Sequence, residues 1–343
     1  MPCLKSISWS SAPASWGAGV DQAAAAAGHR LRIIERTAPE LVKPMRFFLP
    51  VYRETSRRPS ALAAGLLLYR LLGGGGFGLI PPRRWANPDG LDTRGLQAVF
   101  TYPDAYTDDA ALTRAVLHSA LDLGVELLCP AEVTAIQQRP DGYAVILARD
   151  GRETETACAA LVNAAGPWVN RVLARLTPPR PALSIDLVQG AHVVLQGRLR
   201  AGGYYVEARD RRAVFILPWR GDTTLVGTTE TVFAGDPGRV RPLPEETAYL
   251  LDTMARHFLG RIVNMYSAFA GLRVLPQGDG SPFGRARETL LATDGRPARL
   301  VSVCCGKLTT YRATAEKVLR LLAATLPARK RNLDTRRIRL APV

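Results

Sequence analysis

The stretch ALVNAAGPWVNRVL, residues 160–173, decides how the chain is predicted to fold. It opens within a run from Ala159 to Ala164 that is apolar except for Asn163, which is typical of a fully buried strand in an α/β domain. Small residues and Gly166 follow at the end of this predicted strand. Small side chains there let a flat cofactor or its phosphates approach the backbone closely. Tight packing between the strand and the next helix is the alternative explanation.

The flanking segments extend this pattern into a mixed α/β (α+β) fold. Thr107-Asp108-Asp109 precedes a helical pattern and predicts a capped helix start, and Asp150-Gly151 predicts a hairpin turn. Downstream strands follow one another without long helices, which predicts an antiparallel sheet inserted into, or beside, an α/β domain. The predicted strands are 45–52, 125–128, 133–136, 143–148, 193–195, 213–217 and 223–226, and the predicted helices are 31–39, 62–72 (buried) and 311–326 (amphipathic).

Composition excludes several classes of protein. The chain is 47% hydrophobic and 22% charged, which is the range of globular chains, and its length of 343 residues suggests about two domains or one large one. The longest apolar candidate, Ala61 to Leu72, contains Arg70 and is too short to span a bilayer, and the first residues lack a signal-peptide pattern. We therefore predict a cytoplasmic protein that is soluble or peripheral at the inner face of the cell membrane.

The formal net charge of +15 constrains the partners. Of the 45 basic residues 40 are arginines, and they are spread along the chain except for a cluster in the tail at 328–343. No nucleic-acid recognition motif accompanies them, so nucleic acid is not an expected partner. An anionic membrane surface or a phosphorylated substrate fits the sign of the charge equally well. The five cysteines form no Cys-x-x-Cys and no Cys/His ligand spacing, so no metal site is predicted.

One glycine motif has the spacing of a cofactor-binding turn but not its sequence context. Gly73, Gly75 and Gly78 have the G-x-G-x-x-G spacing of a dinucleotide-binding turn. That turn requires a preceding strand and a following helix. Here a predicted helix comes first and Pro81-Pro82 comes after, so the sequence predicts a surface loop instead.

Two further motifs carry chemistry. His192 follows Gly190 in LVQGAHVVL (187–195), where the residues alone favour a satisfied core histidine. CGKLTTYR (305–312) places Gly306 and successive amides at the start of the last helix, where they can stabilise negative charge. An ordinary cap by Thr309 or Thr310 is the alternative there.

These motifs, together with 214–237, AGLRVLP (270–276) and SPFGRARETL (281–290), resemble the FAD-dependent glycerol-3-phosphate dehydrogenases of the D-amino-acid-oxidase superfamily. The resemblance runs from about residue 31 to 326. It implies an FAD/NAD(P)-binding, Rossmann-like domain with an antiparallel-sheet substrate domain. It also implies oxidation of glycerol 3-phosphate to dihydroxyacetone phosphate, with FAD as cofactor and quinone as electron acceptor.

The resemblance assigns roles to individual residues. His192 becomes the candidate general base for the C2 hydroxyl, and Arg273 and Arg287 are expected to hold the phosphate, because a guanidinium binds two oxygens at once. Lys307 is expected near substrate and flavin, with Cys305 in place of the first glycine of the family motif. The expected FAD contacts are Val133, Asn163, Ala164, Ala165, Gly166, Trp168, Gly306, Lys307, Leu308 and Thr309.

The chain also departs from the family. The glycine-rich unit that holds the FAD diphosphate is missing, and an atypical segment occupies 1–30, which suggests a truncated or mis-started chain with weakened FAD binding and impaired activity. The expected FAD-binding segments are 100–180 and 290–327, and the expected substrate-domain segments are 31–99 and 181–289. An amine- or amino-acid-oxidising flavoenzyme of the same superfamily, a basic binding protein and a non-catalytic fragment are the alternatives.

Overall fold

A computed structural model describes residues 33–71, 76–85, 89–259, 264–280, 285, 288–328 and 334–341. The atypical segment 1–30, Gly73, Gly75, Arg287 and the start of the basic tail at 329–333 lie outside the described residues.

Sixteen strands are described. They are β1 (Val42–Tyr52), β2 (Gly78–Leu79), β3 (Leu96–Thr107), β4 (Glu132–Arg139), β5 (Gly142–Arg149), β6 (Arg152–Cys158), β7 (Leu161–Asn163), β8 (Leu176–Thr177), β9 (Ile185–Gln196), β10 (Gly203–Glu207), β11 (Ala213–Pro218), β12 (Thr223–Gly227), β13 (Thr231–Phe233), β14 (Met265–Pro276), β15 (Thr289–Thr293) and β16 (Leu300–Cys305).

The described helices are fewer and mostly short. They are α1 (Pro59–Leu71), α2 (Asp109–Asp122), α3 (Val169–Leu173), α4 (Pro244–His257) and α5 (Tyr311–Leu321), and residues 33–37 are also helical. In the described part of the chain, no helix combines the length and the apolar character needed to cross a bilayer.

Nine strands form a large, mainly antiparallel sheet whose order is β13-β9-β12-β11-β10-β1-β3-β2, with β14 paired to β9. Two smaller sheets have the orders β15-β16-β7 and β6-β5-β4-β8. The pairing of β16 with β7 is parallel. The predicted mixed α/β fold with an antiparallel sheet is therefore confirmed.

Local sequence signals account for several element boundaries. The Asp108 side chain caps α2 by accepting a hydrogen bond from the Ala111 N–H at 3.0 Å. Asp150 and Gly151 both adopt positive φ, 51° and 73°, as the tight turn of the β5–β6 hairpin requires. The predicted helix cap and the predicted hairpin are confirmed.

Two predictions based on apolar runs are wrong. Residues 125–128 are not a strand, and their side chains are exposed, because the described chain offers them no ladder partner. The run from Ala159 to Ala164 contributes only β7, which lies at the edge of its sheet with Val162 44% exposed. An apolar run indicates a strand, but the neighbouring strands decide how much of it is buried.

The exposure of one helix also differs from expectation. The predicted buried helix forms as α1, but Leu67, Leu68 and Leu71 are exposed because only one side of the helix packs on β3. The expected domain boundary between residues 99 and 100 falls inside β3, and the whole of β3 belongs to the large sheet. All of the predicted domain limits stay predictions.

Candidate active site

The centre of the large sheet positions the candidate catalytic histidine. Because side chains alternate along a strand, one face of β9 carries Asp186, Val188, Gly190 and His192. We call this the site face. The opposite face of β9 packs against α4. His192 is paired with Phe269 of β14 on one side and with Gly227 of β12 on the other.

His192 is buried against an aromatic ring. It is 3% exposed, and its ring stacks on the Phe269 ring with 5.1 Å between centroids and 10° between planes. Neither Nδ1 nor Nε2 makes a hydrogen bond of good geometry in the described part of the chain, and the backbone of Gly190 interacts with the ring only enough to oppose the lowering of its pKa. A buried polar atom without a partner is costly, so a satisfied core histidine does not describe this site. Such an atom is instead suited to a group that binds there.

Burial lowers the pKa of His192 from 6.5 to about 3, and the positive charge of Arg273 contributes to the decrease. The imidazole is therefore neutral at physiological pH, and a base of this low pKa takes up a proton readily only where a bound group raises its pKa.

The same shift predicts a pH dependence of stability. Below pH 6.5 the unfolded chain binds a proton at residue 192 while the folded chain does not until about pH 3, so stability falls as the pH falls. Between pH 8 and pH 5 this contribution is about 2 kcal/mol. Urea unfolding of wild type and His192→Gln at both pH values measures it. The variant is expected to lose about 2 kcal/mol less than wild type, and equal losses would refute the shift.

Glycines leave space around the imidazole on the site face. A Cβ on Gly227 would lie 2.7 Å from His192 Nε2 and closer still to Cδ2, so only glycine leaves room for the ring. Gly190 faces Gly271 directly across β9 and β14. A Cβ on Gly190 would lie 3.5 Å from Arg273 Nη2. The guanidinium of Arg273 therefore extends over this glycine pair in the direction of His192.

Arg273 is held by an acid. Its Nη1 donates to Glu230 Oε1 at 2.9 Å, and the side chains of Arg273 and Glu230 are 21% and 7% exposed. Arg285 forms a second such pair with Asp186, which lies on the site face two rungs beyond Val188. Two arginines, each bound to a carboxylate, therefore lie along one face of the β9–β14 pair.

A buried carboxylate on α4 fixes the backbone beneath this site. Glu246 accepts hydrogen bonds from Thr229 Oγ1 at 2.8 Å, Thr231 Oγ1 at 2.7 Å and Gln189 Nε2 at 2.6 Å. It also accepts from the Leu243 N–H at 3.0 Å. These donors lower its pKa against the opposing effect of burial, so Glu246 is an anion in the folded chain.

A second part of the site lies where β7 and β16 end. The two strands are parallel with Asn163 opposite Ser302, so the residues after them emerge at the same edge of the sheet. Asn163 Nδ2 donates to the Val169 carbonyl at 3.0 Å, and its Oδ1 accepts from the Ala165 N–H at 3.3 Å. Asn163 therefore fixes the turn that carries Ala164, Gly166 and Trp168.

That turn is open on its outer side. Gly166 has a φ of +54°, and a Cβ there would meet no atom of the described residues within 4 Å. Trp168 is 39% exposed next to it, so an apolar surface borders the open backbone. A flat, partly apolar group could lie against this turn.

The end of β16 also turns sharply before α5. Gly306 has a φ of +95°, and a Cβ there would lie 2.6 Å from Thr289 Oγ1. Cys305 has a φ of 62°, so it occupies a left-handed conformation that suits glycine better. The Thr310 hydroxyl belongs to a capping box on the 308–310 turn that leads into α5, since it accepts from the Lys307 N–H at 3.4 Å and donates to the Lys307 carbonyl at 2.7 Å.

The structure brings these parts together through β14. The strand that carries Arg273 contacts both β16 and the turn at 166–168. Other predicted cofactor residues pack into hydrophobic cores, Val133 beside Ile136 and Leu308 beside Leu112. Thr309 lines a recess at the start of α5, and Lys307 is exposed just before it.

Of the four residues expected to form a basic pocket, His192 and Arg273 lie together. Lys307 follows β16, which contacts the strand of Arg273, and Arg287 lies outside the described residues. The roles assigned to all of them stay predictions. Sequence reasoning missed Glu230, Glu246 and Arg285. Glu230 could have been suspected as a lone acid in a run of glycine and threonine, whereas Glu246 resembles any helix-start acid.

One family model and several known proteins match this chain. The family described as FAD dependent oxidoreductase, or DAO, matches residues 8–312. The glycerol-3-phosphate dehydrogenase of Pseudomonas aeruginosa is 34% identical over 293 residues, covering 82% of this chain and 56% of that protein. The D-erythritol 1-phosphate dehydrogenase of Brucella abortus is 32% identical over 314 residues, covering 86% of this chain and 61% of that protein.

A solved structure is similar as well. The glycerol-3-phosphate dehydrogenase of Bacillus halodurans, complexed with FAD, superimposes with a TM-score of 0.73 at 25% sequence identity. The match covers 92% of this chain and 58% of that one. The chain thus spans somewhat more than half the length of these relatives.

Proposed function

Because this chain belongs to the DAO family of FAD-dependent oxidoreductases, we propose that it oxidises the C2 hydroxyl of glycerol 3-phosphate to give dihydroxyacetone phosphate. The observation that carries the proposal is the juxtaposition on the site face. A buried His192, whose ring nitrogens make no hydrogen bond of good geometry with the described residues, lies beside Arg273 and next to the Gly190–Gly271 pair, where Thr228 Oγ1 also packs. Similarity to two polyol-phosphate dehydrogenases supports a phosphorylated polyol as the substrate class.

The residues present fit FAD, the family's cofactor. The turn at 164–168 has backbone open to the described residues at Gly166, whereas Gly306 is required by close packing against Thr289. The ring nitrogens of His192 make no hydrogen bond of good geometry in the described chain, as expected if a bound group completes the site. Residues 164–168 and 306–309 would hold the cofactor, which when bound supplies the acceptor for the two electrons and the C2 hydrogen of the substrate.

Two residues of the chain bind the substrate and accept its proton. Arg273 binds the substrate phosphate, which places C2 in a fixed position. His192, neutral at physiological pH, accepts the proton of the C2 hydroxyl as that carbon is oxidised. Because the charge of Arg273 helps to lower the pKa of His192, a phosphate dianion on Arg273 would raise that pKa and strengthen the base.

Replacing Arg273 tests the assignment. We expect Arg273→Gln to raise KM for glycerol 3-phosphate about 10- to 100-fold, because a charge-assisted hydrogen bond to the phosphate is lost. Flavin content and dye-coupled oxidation are measured together, with Arg209→Gln as control because Arg209 forms only an exposed pair with Asp252. An unchanged KM in a flavin-loaded variant would overturn the assignment of the phosphate to Arg273.

D-Erythritol 1-phosphate is the second candidate substrate, favoured by the Brucella relative. Assaying both phosphates side by side ranks them by kcat/KM. We also propose quinone as the electron acceptor and the inner face of the cell membrane as the location. The net charge of +15 supports attraction to anionic lipid.

A further inference from the structure

Glu230 is placed to control Arg273. Its Oε1 accepts a hydrogen bond from Arg273 Nη1 at 2.9 Å, while Arg273 Nη2 lies over Gly190. Only 7% of the Glu230 side chain is exposed to solvent, so solvent screens the ion pair weakly. The pair therefore fixes one arm of the guanidinium and directs the other along the site face.

The segment that carries Glu230 is itself clamped on both sides. Thr229 Oγ1 donates to Glu246 and accepts from the Ala191 N–H at 2.8 Å, next to His192. Thr231 Oγ1 donates to the same carboxylate. The position of Glu230 is thus tied to α4 and to β9, the strand that also carries His192.

We propose that Glu230 is a positioning residue for the substrate phosphate, because it fixes the Arg273 guanidinium with Nη2 presented over the Gly190–Gly271 pair. The inference rests on the proposed function and deepens it. An arginine side chain has many rotamers, and ordering it at the moment of binding weakens affinity. Glu230 imposes that order before the substrate arrives.

The opposite expectation, that Glu230 competes with the phosphate, is weaker. Competition would require the carboxylate to leave Arg273 and become buried without a counter-charge, which is strongly unfavourable. A guanidinium carries five N–H donors in a planar fork, so one arginine can bind a carboxylate and a phosphate together.

Glu230→Gln separates these possibilities. It keeps the shape of the side chain and removes the charge that orients Arg273. We expect KM for glycerol 3-phosphate to rise about 10-fold or more, with kcat within about 3-fold of wild type, since binding is lost equally in the ground and transition states. Glu230→Asp keeps the charge on a shorter arm and is expected to give an intermediate KM. Glu155→Gln, which removes the exposed partner of Arg139, is the matched control.

Thermal-shift titration with glycerol 3-phosphate, using the same variants, provides a readout independent of turnover. Weaker binding by Glu230→Gln than by wild type supports the proposal even where oxidation is not detected. Equal or tighter binding by a folded Glu230→Gln overturns the positioning role and leaves the proposed function intact. Wild type that neither binds nor oxidises the compound overturns both.

Discussion

Replacing His192 with glutamine is expected to lower kcat for glycerol 3-phosphate by about 100- to 10,000-fold, the range lost when a general base is removed. Glutamine fills much of the space beside Phe269 but cannot take a proton from the C2 hydroxyl. KM is expected to change little, because Arg273 still binds the phosphate. Steady-state kinetics with a dye acceptor, on protein of measured flavin content, gives both constants.

A second buried histidine provides the control. His257 at the end of α4 is 4% exposed, like His192, but its Nδ1 lies 2.9 Å from the Thr253 carbonyl, within hydrogen-bond distance. We expect His257→Gln to reduce stability and to leave kcat within about 3-fold of wild type, since the side chain lies away from the site face. A comparable loss of kcat in both variants would show that the effect at His192 arises from disturbed packing.

Local sequence predicts the elements that carry this site but not how their side chains meet. The hairpin at 149–151 and the cap at Asp108 were predictable because their signals lie within a few residues. The strand predicted at 125–128 does not form, because whether such a run becomes a strand depends on a pairing partner that is distant in the sequence.

The contacts within the site are likewise not predictable from local sequence. The resemblance pointed to His192 and Arg273, but their juxtaposition depends on the register that sets Gly190 against Gly271. The role of Glu230 depends on that register too, because an acid in a turn carries no periodic signal. Pairing between strands distant in sequence is what a single sequence does not encode locally.

Gly227→Ala tests that register directly and is expected to lower kcat about 100-fold or more. The added methyl would lie 2.7 Å from His192 Nε2, so the ring must move by about 1 Å, and misplacement of that size costs about two orders of magnitude. Crowding in this buried strand pair is also expected to reduce the free energy of unfolding by about 1–3 kcal/mol. Kinetics and urea unfolding measure the two effects, with Gly295→Ala as control, because a Cβ there would meet no atom within 4 Å.

A double-mutant cycle shows whether the glycine acts through the histidine. In a His192→Ala background the ring is gone, so adding Gly227→Ala is expected to cost little further activity and little further stability. The coupling should equal most of the single-variant loss, because residues that act as a unit are strongly non-additive. Losses that simply add would mean that Gly227 is required for the backbone of β12 rather than for His192. The stacked arrangement of ring, glycine and Phe269 would then not be the catalytic arrangement.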